Sequence, residues 1–179
     1  MTDPPLPAFR YHPDPVASGS FRPASGPCPH CGVDRGYVYV GPIYGLGEPD
    51  PPCPACIADG SFAARFDATF TDDASLAGVD PAIVDEVRTR TPGFESWQAE
   101  HWPIHCGDVA AFHGPAGYAE LVERPEAMVA LRVWLAEELE WQPAWIDEYL
   151  PRLSRDGGST AYLFRCLHCD AELAVCDDD

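Results

Sequence analysis

Two Cys-x-x-Cys pairs, Cys28/Cys31 and Cys53/Cys56, stand twenty-one residues apart in the first third of the chain. No other feature limits the fold so strongly. Two residues between cysteines allow a tight turn that points both sulfurs at one ion, and two such turns complete the closed tetrahedral site of structural zinc. Gly32, directly after Cys31, suits such a turn because glycine tolerates positive φ. Between the pairs, Gly36 to Gly41 is β-rich, and Ile57 to Phe66 reads as a short helix. The expected order is a knuckle, a hairpin and a helix that carries the second pair near its start. That is a treble-clef-like zinc module over residues 28–66, with an all-strand zinc ribbon as the alternative. A helix start would also favour thiolate over thiol. His30, between two ligands, is expected to face solvent and is not counted as a donor.

The chain has eight cysteines, six of them in Cys-x-x-Cys pairs. Four disulfides would need an oxidising compartment. The start, Met1-Thr2-Asp3-Pro4-Pro5, has no basic region and no apolar signal core. No apolar run approaches the roughly 18 residues of a membrane helix. A cytoplasmic protein without membrane insertion is therefore expected, and in that setting the spacing points to metal before disulfide.

The third pair, Cys166/Cys169, cannot close a tetrahedral site alone. Its outside donors must come from Cys106, His105, His101, His168 or Cys176. Cys106, in a loop-rich segment beside a histidine, is the first choice, and His105 the fourth donor. A second zinc is then held by His105, Cys106, Cys166 and Cys169. Two enzymatic readings compete: an open zinc site near Cys106 serving a hydrolase, or Cys106 as a nucleophile activated by its neighbouring histidine. No third group is evident to orient such a histidine. There is no HExxH, and the absence of lysine removes the P-loop cation. No residue is assigned a catalytic role.

Charge narrows the partners. The net charge is −18, and all eleven basic residues are arginine. Such a balance disfavours nucleic acid, whose phosphates call for clustered cations. A nucleic-acid-binding zinc module is the third reading for that reason. Solubility is the plain meaning of the charge, and attraction to a protein with a basic surface the sharper one.

The rest of the chain reads as α+β. Residues 1–26 form an extended arm whose aromatics give it something to bury, and residues 67–79 an acidic linker. Asp80-Pro81 opens a helix that Thr91-Pro92-Gly93 stops. Residues 94–118 are loop-rich and aromatic. Residues 126–141 are an amphipathic helix, and a second starts near Pro143. Ala161 to Phe164 and Leu173 to Val175 are strands flanking the third pair, a C-terminal β-hairpin with a zinc-knuckle Cys-x-x-Cys. The domain division is 1–66, arm and four-cysteine zinc module, against 67–179, helical region and C-terminal hairpin, the two packed as one unit.

Several segments together resemble the CbrC family of bacterial proteins. They are Phe9-Arg10-Tyr11-His12-Pro13-Asp14-Pro15; Cys28-x-x-Cys31-Gly32 with Arg35-Gly36-Tyr37; and Cys53-Pro54-x-Cys56-Ile57-Ala58-Asp59-Gly60-Ser61. Further on come Arg90-Thr91-Pro92-Gly93-Phe94 with Trp97-Gln98, His105-Cys106, and Tyr162 to Cys169. Residues 120–155 add little, and the acidic tail Asp177-Asp178-Asp179 departs from the pattern. The resemblance implies zinc-type cysteines, a cytoplasmic protein and a link to tolerance of a colicin within a stress response. It implies no catalytic mechanism. The combined expectation is a zinc-stabilised, non-enzymatic interaction protein.

Overall fold

The computed structural model describes residues 6–98 and 100–177. The chain start at 1–5, and Asp178 and Asp179 of the acidic tail, lie outside the described residues. By their internal contacts these residues form two compact units, one running to Glu95 and the other starting at Ser96. Helix and sheet are mixed in both. Among the described residues, no helix is long and apolar enough to cross a membrane.

In the first unit, strand β1 (Phe21–Pro23) pairs antiparallel with β2 (Tyr37–Tyr39). The Cys28/Cys31 turn lies between them. The strand after the knuckle therefore returns to the strand before it, in place of the separate downstream hairpin expected of a treble clef. Helix α1 (Pro54–Ala58) starts at Cys53 as N-cap, with Pro54 in the first turn, where its missing N–H costs nothing. After Asp59-Gly60 comes helix α2 (Ser61–Phe66). The single helix expected after Cys56 is thus two short ones, the first beginning early enough to carry both cysteines of the second pair.

Residues 67–79 are no linker. Phe70 and Leu76 are buried, and the Phe70 amide donates to the Arg88 carbonyl at 2.8 Å. Thr69 bridges to Tyr44. Helix α3 (Pro81–Arg90) starts at Asp80, whose carboxylate accepts the Ala82 amide at 2.8 Å. The stop that follows is tied to the arm. His12, fully buried, lies 2.7 Å from the Pro92 carbonyl and 2.6 Å from Ser18 Oγ. Gly93 is required there, because a Cβ would sit 1.9 Å from the Phe70 carbonyl oxygen. Phe9, Phe21, Tyr39, Ile57, Phe62 and Phe70 make a largely aromatic core, and Cys28, Cys53 and Cys56 are part of it.

In the second unit, β3 (Ile104–His105) and β4 (Asp108–Val109) form a minimal hairpin. β5 (Ala111–Ala116), β6 (Ala161–Arg165) and β7 (Glu172–Cys176) form an antiparallel sheet in the order β5-β6-β7. The segment 94–118, expected to be loop-rich, supplies three strands. Gly114 and Pro115 hide β5 in the sequence, and the edge of a sheet with a register shift between Phe112 and Gly114 is where both are tolerated. Helices α4 (Tyr118–Val122), α5 (Pro125–Glu137) and α6 (Pro143–Tyr149) complete the unit. Leu121, Leu131, Leu135, Ile146 and Leu150 pack with Ala161, Leu163 and Ala174 of the sheet. The opposite parity of β6 serves its other face, where Phe164 lies 5.7 Å from Trp102 and 5.3 Å from Phe112, centroid to centroid. Burying each large side chain fully is worth about 1.5–3 kcal/mol.

Two candidate metal centres

The first centre is assembled by the β1–β2 ribbon and the start of α1. Gly32, at φ +70°, closes the knuckle, and its amide donates to the Cys28 carbonyl at 2.8 Å. The Cys28 amide donates to the Val33 carbonyl at 3.0 Å. The Cys53 N-cap places two sulfurs at the first turn of α1. The Cys28–Cys56, Cys31–Cys53 and Cys53–Cys56 sulfurs are 3.9, 3.8 and 3.6 Å apart. Four sulfurs at about 2.3 Å from a tetrahedral zinc would be separated by about 3.8 Å, so the spacing fits the ion. Cys28, Cys53 and Cys56 are buried, and Cys31 is exposed. His30 stands outside the donor set. Its Nε2 lies 2.6 Å from the Asp50 carbonyl, and its half-buried ring meets Phe62 and Phe66 edge-on at 4.8 and 5.1 Å. It is thus partly exposed, as expected, with one side of its ring against the aromatic cluster.

The second centre joins the β3–β4 hairpin to the β6–β7 turn. Cys106 and Gly107 are its two turn residues and have φ of +54° and +75°. Left-handed backbone at both positions is how a two-residue hairpin matches strand twist. That sharp reversal solves the problem of adjacent donors, since it lets His105 and Cys106 converge. The third pair, Cys166/Cys169, sits on a turn closed by the Cys166 amide, which donates to the Ala171 carbonyl at 2.9 Å, with Asp170 at φ +61°. His105 Nδ1 lies 3.3 Å from Cys106 Sγ and 3.5 Å from Cys169 Sγ, and those two sulfurs are 3.8 Å apart. A tetrahedral zinc with one nitrogen and three sulfur donors would set N–S separations of about 3.5 Å. Donor atoms of His105, Cys106, Cys166 and Cys169 all lie within 4.8 Å of one another. Each cluster could hold a metal ion, and no disulfide joins any of the cysteines.

Both clusters show the same electrostatic tension. Burial alone would raise the Cys28 thiol, but the amides of Cys31, His30 and Cys53 bring it down to about 7. Burial, then the thiols of Cys53 and Cys31, drive Cys56 upward, and burial likewise raises Cys53. In the second set, burial opposes ionisation of Cys166, yet the amides of His168 and Cys169 lower it to about 6. Cys106 is pushed up to about 11, first by its contact with Cys169. Without metal, ionisation of Cys56 and Cys106 is resisted by the neighbouring sulfurs. A dication removes that resistance.

The remaining candidate donors are placed elsewhere. His101 packs edge-on against Trp134 at 5.6 Å, and burial lowers its pKa. Cys176 is buried in the apolar core of the second unit. His168, between the two cysteines of the last pair, turns away to Asp108, with Nε2 2.9 Å from Oδ2. Asp108 is 3% exposed, and its other oxygen accepts the Val109 amide at 2.8 Å. This brace escaped the sequence reading. Its only signal was an acid two residues beyond Cys106.

The family model of the "Uncharacterised protein family (UPF0167)" matches residues 6–178. A UPF0167 protein of Mycobacterium bovis is 48% identical over 175 residues, covering 96% of this chain and 93% of the relative. A UPF0167 protein of Pseudomonas aeruginosa is 48% identical over 176 residues, covering 93% of this chain and 94% of the relative. No solved structure matches the chain. These matches correct the resemblance to the CbrC family. The short segments behind it are present, but the match along nearly the whole chain is to UPF0167, and none of these proteins carries the other name. The link to colicin tolerance rested on that resemblance and falls with it.

Proposed function

The chain belongs to the uncharacterised protein family UPF0167, and for this member we propose a non-enzymatic interaction protein whose two clusters hold structural zinc. Cys28, Cys31, Cys53 and Cys56 bind the first ion, and His105, through Nδ1, with Cys106, Cys166 and Cys169 the second. The observation that carries this reading is the second donor set. Four protein donors converge there within 4.8 Å of one another, and His105, Cys106 and Cys169 stand close to the separations a tetrahedral zinc sets; a closed site leaves no position for an activated water. Zinc is preferred because thiolates with one imidazole suit it, and hard-metal sites use oxygen. The first module is treble-clef-like in one respect, a knuckle facing a helix start; its strand order is its own. With a net charge of −18, the partner is a protein with a basic surface, and association should slow as salt rises. The protein acts in the cytoplasm, where reduced thiols persist.

Metal analysis with X-ray absorption on the full chain tests this. About two zinc ions per chain, with sulfur-only and three-sulfur, one-nitrogen shells, are expected. A water oxygen in place of His105 would overturn the closed site and move the reading to a zinc hydrolase.

A further inference from the structure

The two clusters share a chemistry but differ in access. Three of four sulfurs in the first are buried among aromatic side chains, where Cys28, Cys53 and Cys56 are 7%, 3% and 2% exposed. In the second only Cys166 is buried, at 1% exposed, while Cys106 and Cys169 are both exposed and face each other at 3.8 Å. Cys166 also accepts the His168 amide at 3.4 Å, which draws electron density from its sulfur. The exposed pair comes from different parts of the chain, 63 residues apart. Closing that gap to the roughly 2.05 Å of a disulfide requires side-chain movement of under 2 Å, about the scale of a rotamer adjustment.

We infer that Cys106 and Cys169 are a peroxide-sensitive modification site, at which disulfide formation expels the second zinc and leaves the first in place. The inference rests on the proposed zinc ligation. The chemistry balances with a peroxide as oxidant. One exposed thiolate attacks a peroxide oxygen; the O–O bond breaks, a sulfenic acid forms and hydroxide leaves. The other thiolate attacks that sulfur; the S–S bond forms, the S–O bond breaks and a second hydroxide leaves. Two solvent protons complete two waters. The sulfur pair loses two electrons and the peroxide gains them. Zinc, left with Cys166 and His105, has lost two anionic donors and departs.

The full-length zinc-loaded protein is titrated with hydrogen peroxide while released zinc is read with a chromogenic chelator and disulfides are mapped by mass spectrometry. Zinc should fall from about two to about one per chain, with Cys106 joined to Cys169 and the remaining shell sulfur-only. Release from the second cluster should be at least about tenfold faster than from the first, because thiolate oxidation follows access. Thiol reductant with added zinc should restore the second ion. Earlier or simultaneous loss from the first cluster, a Cys166–Cys169 disulfide, or release without any disulfide would overturn the inference. Failure of the zinc reading is distinguishable, because a second site without zinc shows in the metal content before any peroxide is added.

Discussion

In the first unit three of the four candidate cysteine donors are inside the core; in the second the candidate donors are beside it. Tyr39, Phe62 and Phe70 pack in one cluster with Cys28, Cys53 and Cys56. The second unit buries Leu131, Leu135, Ile146 and Leu163 between helices and sheet, and none of its four candidate donors belongs to that cluster. The same kind of donor set can therefore do two different things. In the first unit an empty site would leave three buried sulfurs that resist joint ionisation within the apolar packing. In the second it should release a hairpin from a turn, while the helix–sheet core keeps its contacts. On the proposed zinc ligation, metal would be part of folding in one region and a fastening in the other.

The sharpest way to break this contrast is Cys53→Ser. Structural zinc contributes on the order of 10 kcal/mol of apparent binding free energy in small peptides. The variant should lose about one zinc per chain and the slow amide exchange of the first unit's core, while the second unit's core stays protected. Unchanged metal content would defeat the assignment of Cys53 as a ligand.

Cys106→Ala is the counterpart, with a smaller expected effect. The bound metal would link positions 63 residues apart, and the chain entropy of such a cross-link is about 4 kcal/mol on the disulfide scale. The second zinc should be lost and the second unit's melting temperature lowered, with its sheet and helices retained in amide exchange. Complete unfolding of residues 96–177 would show that this unit too depends on its metal. Leu131→Ala sharpens the point from the other side. Leu131 is fully buried on α5, so truncation should cost about 2–5 kcal/mol, with zinc content unchanged. A comparable loss of zinc would mean that core and cluster are coupled.

The cysteine spacing made the first centre legible, because four donors in two turns define a site with little help from the rest of the fold. The second needed one long-range decision. Cys166 and Cys169 announced a pair, and Cys106 was the spare cysteine in a loop-rich segment, but the convergence of His105 depends on a hairpin turn that Cys106 itself adopts at φ +54°. Left-handed backbone at a non-glycine residue is set by tertiary context and carries no sequence signal beyond the Gly107 that follows. β5 was missed because Gly114 and Pro115 break the alternation that marks a strand. Residues 67–79 misled in the opposite direction: their acidic, small composition resembles a linker, and the packing of Phe70 among aromatics from other segments shows otherwise.

The smallest expected effect separates the two histidines of the second region. His105 and His168 were both candidate donors, and the structure gives them different partners: His105 Nδ1 faces two sulfurs, and His168 Nε2 faces Asp108. Asp108 also accepts the Val109 amide, so losing His168 leaves its carboxylate with a backbone donor. His168→Ala should therefore cost only about 1–3 kcal/mol, the scale of one charge-assisted hydrogen bond, and should keep the second zinc. Asp108→Asn should cost about as much, since its single amide oxygen cannot accept both the Val109 amide and the imidazole. Release of zinc to a chelator should quicken in both variants, because the brace holds the turn of Cys166 and Cys169 against the hairpin of Cys106. His105→Ala, by contrast, should lower the zinc content or replace the nitrogen in the metal shell by a water oxygen. Were His168→Ala to remove the zinc and His105→Ala to spare it, the donor would be His168. The Asp108 pairing would then have to break on metal binding, and the second cluster would close only with movement of its own turn.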